Sequence, residues 1–137
     1  MTRTRIKICG VTRVEDAQLA VDLGVDALGF VFWPSSPRWI TPERAGLIIA
    51  TLPRFVTAVG VFVNEPPDQV RRIADELGLG AVQLHGDEPV ESWTSPPCQV
   101  IKAVGVDAAF DAAALASWPS TVMPLLDVAD AERRGGT

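Results

Sequence analysis

Short apolar runs alternate along this chain with stretches whose apolar residues recur at helical spacing. Residues 5–9 form the first strand-like run. Thr12 then offers an N-cap, with Glu15 three residues on completing a capping box. Val14, Ala17 and Val21 share one helix face, and Gly24 supplies the stop. Residues 27–32 (Ala-Leu-Gly-Phe-Val-Phe) read as a second strand. Thr41-Pro42 opens the next helix as N-cap and first-turn proline, and Pro53 ends it. A β-branched run at 57–63 predicts a third strand. A helix follows from Pro67, with Val70, Ile73, Ala74 and Leu77 at i, i+3, i+4 and i+7, closed by Gly78. Residues 81–84, 100–103 and 122–126 predict strands four to six. A weak helix at 89–93 and an alanine-rich helix at 108–117 lie between them.

Strands alternating with helices predict an α/β protein with a parallel sheet and helical crossovers. A doubly wound open sheet and a closed barrel both satisfy that pattern. The first β-to-α turn, Cys9-Gly10-Val11-Thr12, lacks the G-x-G-x-x-G phosphate loop, so the dinucleotide-binding version of the open sheet has little support. No change of composition marks a linker, so residues 1–137 read as one domain.

Composition narrows the function classes. The chain is 47% hydrophobic and 21% charged, enough to build a core. A net charge of −5 without any extended run of Lys or Arg argues against a nucleic-acid partner. No apolar run nears the ~18 residues of a membrane span, and the basic N-terminus leads into a strand rather than a signal-peptide core. Two cysteines, Cys9 and Cys98, give neither a disulfide framework nor metal-ligand spacing. A cytoplasmic, reduced protein with no metal is the expectation.

In a parallel barrel, functional groups sit where strands end. Alternation along residues 5–9 directs Ile6 and Ile8 to the helices, and Lys7 and Cys9 to the interior. Cys9 then lies at the mouth, before a helix N-terminus, where a thiol is easily ionised; its alternative role is a small buried apolar residue. Asp127 ends the sixth run on the face of Met123 and Leu125. It is either a turn or cap residue or an interior acid adjusted by desolvation. Arg38 stands in the proline-bracketed loop Trp33-Pro34-Ser35-Ser36-Pro37-Arg38-Trp39, as a solvated charge or a fork for a carboxylate. His85 is the single histidine, in Gln83-Leu84-His85-Gly86-Asp87-Glu88, and its residue type alone favours a hydrogen-bonded structural role. Cys98 reads as incidental.

Five segments in register resemble the phosphoribosylanthranilate isomerase family: Lys7-Ile8-Cys9-Gly10; Gly29-Phe30-Val31-Phe32 with Ser36-Pro37-Arg38; Gly60-Val61-Phe62-Val63-Asn64; Gln83-Leu84-His85-Gly86-Asp87-Glu88; and Leu125-Leu126-Asp127. The resemblance implies a (β/α)8 TIM barrel and a cofactor-free Amadori rearrangement in tryptophan biosynthesis, acting on a phosphorylated sugar–anthranilate substrate. It implies that Asp127 is the general acid, Cys9 the general base and Arg38 the ligand of the anthranilate carboxylate. It implies further that His85 and Gln83 line the pocket.

A complete barrel takes eight βα units and usually ~200 residues or more. The expectation is therefore an incomplete barrel of about six strands and five helices, without the last two βα units and the phosphate-binding loops they carry. Gly135-Gly136-Thr137 resembles the start of the family's glycine-rich stretch. Alone, such a chain is expected to be inactive or weak. Two other readings stand beside this one. A related histidine-pathway isomerase of phosphoribosyl intermediates carries an aspartate where this chain has Cys9. A degenerate, non-catalytic barrel fragment would instead pair with another subunit. The sequence leaves the oligomeric state open.

Overall fold

The β-branched and apolar runs settle into six strands. They are β1 (Lys7–Cys9), β2 (Ala27–Val31), β3 (Thr57–Phe62), β4 (Ala81–Leu84), β5 (Gln99–Val106) and β6 (Val122–Val128). Of these, β2, β3 and β4 bury both faces as central strands of a parallel sheet do, while β1 and β6 stay largely exposed. The computed structural model describes residues 2–129, so Gly135-Gly136-Thr137 lies outside the described residues.

Every neighbouring pair is parallel, and the order is β1-β2-β3-β4-β5-β6. A doubly wound sheet requires a reversal of strand order, and there is none among the described strands. With right-handed crossovers, an unreversed order puts all connections on one face of the sheet. The other face curls inward. β1 and β4 are three strands apart, about 14 Å at ordinary spacing, yet Lys7 Nζ on β1 lies 2.6 Å from Gln83 Oε1 on β4.

The outer face carries the main core. Leu28, Phe30, Val82, Leu84 and Val100 pack there against Ala17, Ala45, Ile48, Val70 and Ile73 of the helices α1 (Val14–Asp22), α2 (Pro42–Ile49) and α3 (Pro67–Leu77). A much smaller cluster of Val59, Ala81 and Ile101 lies on the inner face.

The expected punctuation holds at α2, where Thr41 Oγ1 accepts from Arg44 N at 3.3 Å with Pro42 in the first turn. It also holds at Gly78, which caps α3 in the left-handed region at φ 62°. Gly24 (φ 86°) closes α1 as a Schellman stop: its N–H donates to Val21 O, and the Val25 N–H donates to Ala20 O.

Three expectations need correction. Thr12 does not cap α1. Gly10 N and Val11 N both donate to Gly29 O, which ties the chain to β2, and the helix starts at Val14 behind an Arg13 cap without a side-chain bond. The alanine-rich stretch is not an α-helix but a 3-10 turn at Ala112–Ser117. Asp107 Oδ1 accepts from Ala109 N and Asp111 Oδ1 from Ala113 N, both at 2.9 Å. These local turns compete with the helical ladder. The weak helix at 89–93 is likewise a single 3-10 turn, Val90–Trp93. The described connections are thus three α-helices and two 3-10 turns rather than five helices. β5 runs three residues beyond its expected end.

At the N-terminal end of the strands, Asp26 gathers the chain start. It accepts from Arg3 Nη1 and Nη2 at 2.9 and 2.5 Å and from Ile6 N at 2.8 Å. The Arg3 fork first, and the Ile6 N–H second, hold its carboxyl down to about 2.

Candidate functional site

The residues with reactive side chains converge at the C-terminal end of the strands. Cys9 is the last residue of β1, His85 follows β4, Asp127 is the penultimate residue of β6, and Arg38 sits in the loop after β2. All four, with Gln83, Lys7, Val61, Leu125 and Leu126, line one cleft of about 220 Å³. Every site residue expected from the sequence therefore opens into the same space. Cys98 does not line it; it is half-buried under the helices, and burial, then the charge of Asp75, push its thiol up.

The loop that carries Arg38 folds back on the sheet: Trp39 bridges to Val31, and Ile40 N donates to Val31 O at 3.0 Å. Ser36 is buried, and its hydroxyl accepts from Arg38 N at 3.2 Å. The guanidinium reaches over Gly10 and donates from Nη1 to the Cys9 carbonyl at 2.7 Å. A Cβ at Gly10 would stand 2.5 Å from Arg38 Cδ and 2.6 Å from Nε and Nη1. Gly10 is thus a glycine for two reasons, its φ of 85° and the cation lying on it. Gly29 does the same for the thiol, since a Cβ there would meet Cys9 Sγ at 2.8 Å.

Cys9 and Gly10 hold Arg38 from the β1 side, and a polar row holds Asp127 from β4. His85 Nε2 lies 3.1 Å from Asp127 Oδ2, and Gln83 Nε2 lies 3.2 Å from His85 Nδ1. The desolvation considered for Asp127 is only partial, because its side chain is 47% exposed. Lys7 is the residue that sequence reasoning left without a role. Alternation placed it inside, and a cation on an inward strand position was the available signal.

Behind the cleft, a second polar cluster fixes the loops after β3 and β4. Buried Glu88 accepts from Asn64 N, Gly86 N and Lys102 Nζ at 2.8, 2.8 and 3.0 Å. Lys102, also buried, donates to Gly86 O as well. Among the described residues, no group of three or more His, Cys, Asp or Glu is placed to hold a metal ion. No helix there is long and apolar enough to cross a membrane.

Residues 6–137 match the family model described as N-(5'-phosphoribosyl)anthranilate (PRA) isomerase. A protein of that name from Citrifermentans bemidjiense is 48% identical over 134 residues, covering 98% of this chain and 65% of the relative. Another from Geobacter sulfurreducens is 55% identical over 102 residues, covering 74% and 50%. The chain thus spans between half and two-thirds of the length of these curated relatives.

Among solved structures, phosphoribosylanthranilate isomerase from Thermotoga maritima superposes with a TM-score of 0.87 at 46% identity, over 98% of this chain and 66% of that one. A second structure, of the enzyme in complex with reduced 1-(o-carboxyphenylamino)-1-deoxyribulose 5-phosphate, gives a TM-score of 0.83 at 47% identity, over 93% and 66%. The six-stranded curled sheet accordingly matches part of the (β/α)8 barrel of these neighbours.

Proposed function

The chain belongs to the N-(5'-phosphoribosyl)anthranilate isomerase family, and from that premise we propose that its cleft carries out the family's isomerisation in tryptophan biosynthesis. The observation that supports this most is the convergence of Cys9, Arg38 and Asp127, from two strand ends and the loop after β2, on one cleft of about 220 Å³. The solved relative's ligand is a phosphorylated, ring-opened sugar bearing a carboxyphenylamino group, and the substrate proposed here is its phosphoribosyl precursor.

Asp127 delivers a proton to the ribose ring oxygen as the anthranilate nitrogen pushes its lone pair onto the anomeric carbon. The ring opens to a protonated imine, which acidifies the C–H beside it. The Cys9 thiolate removes that proton, and the electron pair neutralises the nitrogen to give an enolamine. Tautomerisation to the ketone leaves one carbon reduced and its neighbour oxidised, so the redox balance closes without an external electron carrier. A positioned acid or base contributes typically ~10²–10⁴-fold. Arg38 holds the anthranilate carboxylate, and the unpaired Cys9 thiol suits work in the reducing cytoplasm.

Among the described residues, β1 and β6 are the edge strands of the six-stranded sheet, with no strand paired beyond them. The 137-residue chain by itself is therefore proposed to turn over weakly. The test places Cys9→Ala and Asp127→Asn in this chain and in a chimera completed with the C-terminal third of the Citrifermentans bemidjiense relative. Each substitution is expected to lower the chimera's kcat by at least a hundredfold with folding intact. Unchanged turnover in either variant refutes the assignment, and full turnover by the 137-residue chain refutes its proposed weakness.

A further inference from the structure

Polar side chains on the inner face of the sheet form a continuous row from β1 to β6. Lys7 Nζ is 2.6 Å from Gln83 Oε1, Gln83 Nε2 is 3.2 Å from His85 Nδ1, and His85 Nε2 is 3.1 Å from Asp127 Oδ2. Each link dictates the next. An ammonium only donates, so the Gln83 atom facing Lys7 is its carbonyl oxygen. The amide nitrogen, which also only donates, then faces the imidazole, and Nδ1 must accept. A neutral imidazole has one N–H, which therefore sits on Nε2 and donates to Asp127.

We propose that Lys7 and Gln83 are positioning residues that fix His85 as its Nε2–H tautomer and thereby orient the Asp127 carboxyl in the cleft. The proposal rests on the reading of Asp127 as the acid of the isomerisation. The alternative tautomer would set Nδ1–H against the Gln83 amide N–H groups. A rotated Gln83 amide would in turn bring its NH2 against the ammonium. Gln83 is 3% exposed, so water does not relieve either clash. The backbone makes room for the row at Gly29, where a Cβ would come within 3.2 Å of Lys7 Cε.

The chain has a single histidine, so 15N-histidine labelling yields one imidazole whose two nitrogens are read directly by NMR, with no substrate present. The 137-residue chain at neutral pH is expected to carry its proton on Nε2, with Nδ1 bare. Gln83→Glu keeps the side chain's shape and its partner Lys7 but presents an acceptor to the ring, so Nδ1 is expected to gain a proton. Lys7→Met should populate both tautomers, and Lys7→Arg should restore the single one. In the completed chimera, Gln83→Glu should lower kcat at least tenfold with KM little changed, as a mis-set tautomer does in other acid–base sites.

A parent ring protonated on Nδ1, an unchanged tautomer in Gln83→Glu, or a shifted tautomer with unchanged kcat each overturns the proposal. The tautomer is read independently of turnover. Its failure is therefore distinguishable from failure of the isomerase reading, which Cys9→Ala and Asp127→Asn probe.

Discussion

Substituting Gly10 tests how the cleft holds its cation. Gly10→Ala imposes two separate costs. The first is backbone strain, because φ is 85° and a Cβ in the left-handed region costs ~1–2 kcal/mol. The second is collision with Arg38, whose Cδ, Nε and Nη1 would all lie within 2.6 Å of the new carbon. These atoms belong to the mobile end of a long side chain, so the guanidinium moves and its 2.7 Å bond to the Cys9 carbonyl breaks. A hydrogen bond to a charged group contributes ~1.5–3 kcal/mol, and the lower figure suits a half-buried arginine. The two terms together predict a loss of about 3 kcal/mol.

Gly24→Ala is the internal control. Its φ is 86°, but nothing lies within 4 Å of the new Cβ, so it reports strain alone and should cost only ~1–2 kcal/mol. Urea unfolding of both variants measures the difference. Titration with anthranilate, and with aniline as the analogue lacking the carboxylate, reads the consequence for binding. Gly10→Ala should weaken anthranilate roughly tenfold to a hundredfold, which is 1.5–3 kcal/mol at 1.4 kcal/mol per decade. It should leave aniline unaffected, and Gly24→Ala should alter neither ligand. Equal destabilisation and equal anthranilate affinity in the two variants would refute the view that Gly10 exists to seat Arg38.

Two further outcomes follow from the polar clusters outside the cleft. Lys102→Met strands buried Glu88 without its counter-charge and should cost ~3–5 kcal/mol. In a double-mutant cycle with Glu88→Ala the losses should fall short of the sum by more than ~1 kcal/mol, and strict additivity by chemical denaturation would contradict the coupling. Asp26, held down to about 2 in the folded chain, contributes stability above the ordinary carboxylate range near ~4, and that contribution fades as pH falls from there toward 2. The protection of the Ile6 amide against hydrogen exchange, taken relative to the intrinsic rate at each pH, should fall over that window in the parent chain but not in Asp26→Asn.

Alternation and punctuation made the sheet legible before any coordinates. Ala81–Leu84 is a strand at the expected limits, and Gly24 and Gly78 stop their helices where a φ > 0 residue is needed. The failures share a cause. Thr12 lost its capping role because Gly10 and Val11 stay bonded to Gly29 O, a contact between positions far apart in sequence. Residues 108–117 lost their helix to Asp107 and Asp111, whose carboxylates capture the N–H groups two residues on. Of the candidate site, the strand ends and the family's motifs pointed to Cys9, Arg38, Gln83, His85 and Asp127, which line one cleft. The contacts among them were not, because the 76-residue separation between Lys7 and Gln83 carries no local signal. Ile6 and Ile8, expected to face the helices, are instead 53% and 42% exposed and take no part in the helix-side core.

The two faces of the sheet divide the labour. Outward positions are large and apolar, as at Leu28, Phe30, Val82 and Leu84, and they gain the burial energy that holds the helices. Inward positions do not all follow that rule, because the curled face is narrow and its upper end opens into the cleft. They are small where strands crowd, as at Ala27, Gly29 and Ala81, and polar where the cleft opens, as at Lys7, Gln83 and Asp127. A buried amide and an inward ammonium weaken a core unless each donor finds an acceptor. Here they find one another in series, ending at a half-exposed carboxylate. The polar row sets the carboxyl at its end beside the cleft that Cys9 and Arg38 also line.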